Sequence, residues 1–209
     1  MINIHSIQEK SHVDGPGLRT VLFMQGCPIQ CPGCQNRHLW SPGNGHLVDE
    51  GELALSLMAV SKNGKITISG GEPFSQPAAL FGLVDHLRAL GANHIIVYSG
   101  YTIEALTNPL NGARPIIMAI LGMIDVLVDG PFIKAKDDDL LTYRGSRNQR
   151  AIDSKVYFET GIIHDLGWND PEITVTAEGA LVLPVGVASE FEEIGQTENS
   201  RMCGQTKGA

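Results

Sequence analysis

Four apolar, β-branched runs recur along the first 150 residues, at 18–26, 65–69, 94–99 and 125–128, and each stops at a polar or glycine-rich step. A short apolar run closed by a turn signal is the pattern of a buried strand feeding a loop. Between these runs, residues 50–61, 77–90, 102–106 and 116–122 carry helical spacing. Strands alternating with helices predict βα units around a parallel sheet, so the fold class is α/β. Four or five such units are too few for an eight-stranded barrel. We therefore expect an open, partial (β/α) barrel whose open side admits a macromolecule. The strand-end steps are Gly26-Cys27, Gly70-Gly71-Glu72, Gly100-Tyr101 and Asp129-Gly130. They fall where parallel α/β sheets build ligand sites, beyond the C-terminal ends of the strands.

After residue 150 the pattern changes. Residues 155–158, 172–176 and 180–183 read as short strands, with Glu178-Gly179 as a turn, and 196–209 are polar without periodicity. This divides the chain into a partial barrel over 1–150, an accessory β segment over 151–195 and a loose tail over 196–209. Charge follows the same division. Residues 1–150 hold 12 basic against 13 acidic side chains and residues 151–209 hold 3 against 10, which gives the net charge of −8. No basic cluster offers a surface to nucleic acid or to an anionic membrane. No apolar run approaches the ~20 residues that span a bilayer, and the N-terminus lacks the features of a secretory signal. The expected compartment is the reducing cytoplasm.

Cys27, Cys31 and Cys34 stand as Cys-x-x-x-Cys-x-x-Cys, while the fourth cysteine, Cys203, lies in the tail. Crowded cysteines in a cytosolic chain read as metal ligands. Spacing alone leaves three sites open. His38 could complete a closed Cys₃His zinc knot. Cys203 could supply a fourth ligand and make an electron carrier. Or three thiolates could hold three corners of a 4Fe–4S cubane and leave its fourth iron open to a substrate. Gly70-Gly71-Glu72-Pro73 is likewise either a plain strand-to-helix turn or a backbone edge able to meet the amine and carboxylate of an amino acid. Taken together, the triad and the glycines favour the open cluster.

These motifs resemble the radical S-adenosylmethionine superfamily. Asp14-Gly-Pro-Gly-Leu-Arg-Thr20 and Phe23-Met-Gln-Gly-Cys27 resemble its glycyl-radical-enzyme-activating branch. Cys31-Pro-Gly-Cys34-Gln-Asn36, Val128-Asp-Gly-Pro-Phe132 and Tyr143-Arg-Gly-Ser-Arg-Asn-Gln149 are most similar to the anaerobic ribonucleoside-triphosphate reductase activating proteins. The resemblance covers about residues 12–150, so 151–209 depart from the pattern. It implies a partial barrel of the radical S-adenosylmethionine type, with Cys27, Cys31 and Cys34 on a 4Fe–4S cluster and S-adenosylmethionine on the open iron. It further implies that Gly70, Gly71 and Glu72 hold the methionyl amine and that Gly33 and Gln35 lie near the adenine. Tyr101 would contact the ribose or cap its strand, and Asp129, with Arg144 and Asn148, would line the site or serve in a buried ion pair. Asp14 and Arg19 would either fix a structural turn or help to dock the partner.

The implied activity is reductive cleavage of S-adenosylmethionine to a 5′-deoxyadenosyl radical, which takes hydrogen from a glycine of a partner enzyme. That partner would be an anaerobic ribonucleotide reductase or a formate C-acetyltransferase-like enzyme, with a flavodoxin-like protein as reductant. Two alternatives stay open: a small-molecule radical enzyme such as a 7-carboxy-7-deazaguanine synthase, and a zinc-stabilised binding module. Cys203 reads as a spare thiol.

Overall fold

Four parallel strands form the centre of the structure: β2 (Arg19–Met24), β4 (Lys65–Gly70), β5 (His94–Tyr98) and β6 (Val126–Asp129). The computed structural model describes residues 1–168 and the strands Thr174–Val175 and Leu181–Val182. Three antiparallel strands extend the centre at its edges. β1 (Ile2–Ser11) pairs with β2, β3 (His46–Val48) pairs with β1, and β7 (Arg150–Asp153) pairs with β6. The seven-stranded order is β3-β1-β2-β4-β5-β6-β7, with β3 and β7 at its two ends and the outer side of β7 bridged to Asp165. The sheet is therefore open, as the small number of βα units required.

The four central strands coincide with the four apolar runs of the sequence. The edge strands were not legible there, because β1 mixes polar with apolar positions and β3 and β7 are too short to show a period. The helices are α1 (Glu50–Val60), α2 (Pro77–Ala89), the short α3 (Ile103–Leu106), α4 (Arg114–Met123) and α5 (Ser154–Thr160). Leu53 and Leu57 of α1, Leu80, Leu83 and Leu87 of α2, and Ile117 and Ile120 of α4 share one buried cluster with Ile66, Ile68, Ile95, Val97 and Leu127 of the sheet. Burying side chains of this size stabilises by roughly 1.5–3 kcal/mol each.

Residues 155–158, expected as a strand, lie instead in α5. Four residues with apolar side chains at alternate positions are too few to separate the two periods. The ends decide the matter: the Asp153 carboxylate accepts from Val156 N, and Gly161 closes the helix at φ +71. Further on, β8 (Thr174–Val175) and β9 (Leu181–Val182) pair antiparallel, within the expected accessory strands. The Glu178-Gly179 turn, the tail 196–209 and Cys203 lie outside the described residues. The chain divides into a compact unit Met1–Trp168 and a second, Asn169–Ala209. Among the described residues no helix is long and apolar enough to cross a membrane.

The inner face of the sheet is closed at one end by a side chain that the sequence left ambiguous. Arg19 is almost fully buried. Its Nε donates to Thr67 Oγ1 at 2.7 Å, and its Nη2 donates to the Ile66 and His94 carbonyls at 2.6 and 3.1 Å. Thr67 Oγ1 in turn donates to the Asp14 carbonyl at 2.9 Å. This network holds the Asp-Gly-Pro-Gly turn against the sheet, so Arg19 is structural. Desolvation lowers its pKa to about 10, which still leaves it charged at neutral pH.

Candidate active site

The loops that leave the C-terminal ends of β2, β4, β5 and β6 meet over one cavity. Cys27, Cys31 and Cys34 come from the first loop, Gly70, Gly71 and Glu72 from the second, Ser99 and Gly100 from the third, and Gly130 and Phe132 from the fourth. The cysteine loop is closed at its base by two backbone bonds, Gly26 N to Leu39 O at 2.8 Å and Cys27 N to Trp40 O at 3.0 Å. It is stitched to the glycine loop by two more, Gly71 N to Met24 O at 2.9 Å and Glu72 N to Gly26 O at 2.8 Å.

That stitching explains the glycines. A Cβ on Gly71 would stand 2.3 Å from the Gly26 carbonyl oxygen, and one on Gly70, at φ +102, would stand 2.5 Å from Met24 N. Close approach of two loops demands glycine at both positions, independently of any ligand.

Glu72 locks the third loop to the second. It is fully buried. One carboxylate oxygen accepts from Phe74 N at 2.9 Å and Ser99 Oγ at 3.0 Å, and the other accepts from Gly100 N at 2.7 Å. Burial pushes its pKa up to about 7, against the three donors, which favour the carboxylate. A carboxyl raised in the folded state contributes stability that is complete below its ordinary value of 4.5 and is lost as pH rises towards about 7. The melting temperature of the metal-free chain is accordingly expected to fall by several degrees across that window, with the slope lost in Glu72→Gln. Calorimetry at successive pH values checks this, and a flat wild-type profile would show the carboxyl ionised throughout.

The three cysteines are free thiols, each partly exposed to the cavity. Burial raises the Cys31 thiol, opposed by the Phe132 backbone. Cys34 Sγ accepts from Asn36 N at 3.4 Å. Among the described residues no three His, Cys, Asp or Glu side chains converge on a single ion. His38 packs its ring against His5, with centroids 5.1 Å apart. The three thiols line one hollow, and thiolates from a single short loop are the donor set that a 4Fe–4S cluster takes.

The remaining sequence candidates divide. Gly33 sits at φ +85, and a Cβ there would stand 3.0 Å from the Lys134 side chain and 3.3 Å from that of Phe132. Gln35 lines a neighbouring groove with Asp14, Tyr98 and Tyr143. Tyr101 lines a hollow with Phe74 and Leu106. Asp129 is 1% exposed and committed elsewhere. It is ion-paired with Arg150, Oδ1 to Nε at 2.9 Å, and its Oδ2 accepts from Ile103 N at 2.7 Å, so Gly130 faces the cavity in its place. Arg144 donates to the Gln149 and Trp168 carbonyls, and Asn148 to the Pro131 carbonyl.

Sequence reasoning assigned no role in the cavity to Ser69, Trp40, Ser99 or Gly100, which line it. Ser99-Gly100 was within reach, since it ends an apolar run as Gly70-Gly71 does. Trp40 had no such signal.

An open α/β sheet whose strand-end cavity carries three free thiols is a frame for a thiolate-bound metal centre. A family described as "4Fe-4S single cluster domain" matches residues 13–152. The chain is 34% identical over 157 residues to the anaerobic ribonucleoside-triphosphate reductase-activating protein of Vibrio cholerae, covering 71% of this chain and 96% of that protein. The protein of the same name from Escherichia coli K12 is 33% identical over 156 residues, with the same coverage. The pyruvate formate-lyase-activating enzyme of Clostridium pasteurianum is 36% identical over 106 residues, 48% of this chain and 44% of that enzyme. Among solved structures, QueE from Escherichia coli aligns at a TM-score of 0.36 and 21% identity, over 48% of this chain and 53% of that one. The chain belongs to the single-cluster 4Fe–4S family and, within it, to the radical S-adenosylmethionine activating proteins of anaerobic ribonucleoside-triphosphate reductase. Its cofactors are a 4Fe–4S cluster and S-adenosylmethionine.

Proposed function

We propose that this chain activates a glycyl-radical enzyme, an anaerobic ribonucleotide reductase first and a formate C-acetyltransferase-like enzyme second. The observation that carries the reading is the meeting of three free thiols with the Gly70–Glu72 and Ser99–Gly100 loops over one cavity at the ends of adjacent parallel strands. Cys27, Cys31 and Cys34 hold the cluster. When bound, the reduced cluster supplies an electron to the sulfonium of S-adenosylmethionine and so yields methionine and a 5′-deoxyadenosyl radical.

The chain's own residues bind and orient. The N–H groups of Gly71 and Glu72 are spent on the Met24 and Gly26 carbonyls. The loop therefore presents carbonyl acceptors, which suit the methionyl ammonium. Glu72 holds that loop in place from beneath. Gly33, Gln35 in the neighbouring groove and Tyr101 next to Gly100 are assigned to the nucleoside side, whereas Asp129 acts through the Arg150 pair that fixes β6. A hydrogen-atom transfer needs no general base. Its needs are positioning and exclusion of water and oxygen, which the open sheet provides once the partner covers it. A flavodoxin-like electron donor and a cytoplasmic setting complete the reading.

Anaerobic reconstitution tests it. We expect a brown protein that forms 5′-deoxyadenosine under dithionite, and a glycyl-radical paramagnetic signal on adding an anaerobic ribonucleotide reductase. A colourless, zinc-loaded protein would sink the enzyme assignment. Cleavage without any signal on either class of partner, but with turnover of a carboxy-deazaguanine precursor, would establish the small-molecule alternative.

A further inference from the structure

Among the described residues five buried side-chain polar atoms lack a hydrogen-bond partner, and one of them, the indole Nε1 of Trp40, belongs to a wall of the cluster cavity. Trp40 also lines a second hollow behind the cysteine loop, beside Gln25, Pro28 and Pro42. Only Cys27 and Trp40 border both spaces. Their backbones are joined, with Cys27 N donating to Trp40 O at 3.0 Å, so the two residues move as one piece of the loop.

The three cysteine sulfurs are not equivalent. Cys34 Sγ receives the Asn36 N–H at 3.4 Å. Burial raises the Cys31 thiol, and the Phe132 backbone opposes that shift. Cys27 receives no N–H among the described residues. Cys27 and the residue that carries the buried donor without an acceptor thus border the same two cavities and are joined through their backbones.

We propose that the Trp40 indole N–H donates to the Cys27 sulfur when the cluster is bound, and so helps to set the cluster's reduction potential. The inference rests on the cluster assignment above. Reduction adds negative charge to a cluster and its sulfurs, and a donor aimed at a sulfur stabilises the reduced form more than the oxidised one. Trp40 therefore raises the potential and eases electron entry. The competing arrangement is a water in the rear hollow bridging Trp40 Nε1 to Gln25 Oε1, another of the unpartnered atoms. An anionic thiolate is the stronger acceptor of the two.

The test uses the reconstituted full chain, with redox titrations followed by the paramagnetic signal of the reduced cluster. At the wild-type midpoint, Trp40→Phe is expected to lower the ratio of reduced to oxidised cluster about three- to tenfold, tenfold being ~59 mV for one electron. A benzothienylalanine at position 40, which keeps the bicyclic shape without the N–H, should shift the ratio equally. An exchangeable-proton coupling to the cluster should vanish in Trp40→Phe and persist in Trp168→Phe. A potential unchanged in both position-40 variants overturns the proposal and gives the N–H to water. A shift in Trp40→Phe alone overturns it too, because ring packing would then be the cause. A wild-type chain with no reducible cluster would fail the parent assignment, which the wild-type titration shows before any variant is compared.

Discussion

Replacing any one of Cys27, Cys31 or Cys34 by alanine is expected to abolish cluster assembly and to bring 5′-deoxyadenosine formation down to background. Each thiol occupies its own place on the cavity wall, and Glu72, which shares that wall, has both carboxylate oxygens committed to Phe74, Ser99 and Gly100. With only two protein ligands a cubane has two iron corners uncovered and loses the geometry that leaves one position for a substrate. Iron and sulfide content measured after anaerobic reconstitution, together with product formation under dithionite, checks this. His38→Ala and Cys203→Ala serve as controls. Both should assemble the cluster and cleave at the wild-type rate, since the His38 ring is turned to His5 and the reading reserves the fourth iron for S-adenosylmethionine. Loss of the cluster in either control would return the site to a four-ligand centre and remove the open iron on which the chemistry depends.

Gly71→Ala is expected to lower the melting temperature by about 5 °C and to weaken S-adenosylmethionine binding by about tenfold or more, with iron content unchanged. The added methyl would sit 2.3 Å from the Gly26 oxygen and 2.9 Å from its carbonyl carbon, both backbone atoms next to Cys27. Neither can swing aside as a flexible side chain would. The two loops must separate, and overpacking of this kind costs about 1–3 kcal/mol. Separation breaks the stitch from Gly71 N to Met24 O and displaces the carbonyl edge assigned to the methionyl group. Gly112→Ala is the matched control, because a Cβ there meets nothing within 4 Å. Calorimetry and equilibrium binding to the reconstituted protein decide the outcome. A variant with wild-type melting and affinity would show that the two loops are not coupled.

The two predictions separate functions that the motif joins. The cysteines govern whether a cluster exists, and the glycines govern how a ligand sits against it. If loss of cluster accompanied Gly71→Ala, the glycine loop would be part of the cluster's own support. The stitch between Glu72 N and Gly26 O makes such coupling measurable.

The central architecture was legible in the chain because it is written in local periods. Apolar runs at 65–69 and 94–99 became β4 and β5 almost to the residue, and the three cysteines are adjacent in sequence, so their common loop needed no tertiary information. What the sequence could not determine was the partner of each polar group, since that is a contact across the fold. Asp129 looked like a site residue by its place in a motif, yet its carboxylate meets Arg150, 21 positions away, and caps α3. Glu72 reaches Gly100, 28 positions on, and thereby makes a support of a residue expected to touch the ligand. His38, four residues beyond a cysteine ligand, turns to His5 on the antiparallel strand β1, which the pattern of polar and apolar residues did not disclose. Trp40 gained meaning only when folding left its N–H buried without an acceptor on a residue that borders the cavity together with Cys27. By itself the sequence determined the cluster loop, the parallel strands and the strand-end glycines, because spacing and burial period are properties of neighbours along the chain. The tertiary structure alone decided which side chains face the cavity and which ones hold it together, because buried polar groups must find partners and the fold dictates which are within reach.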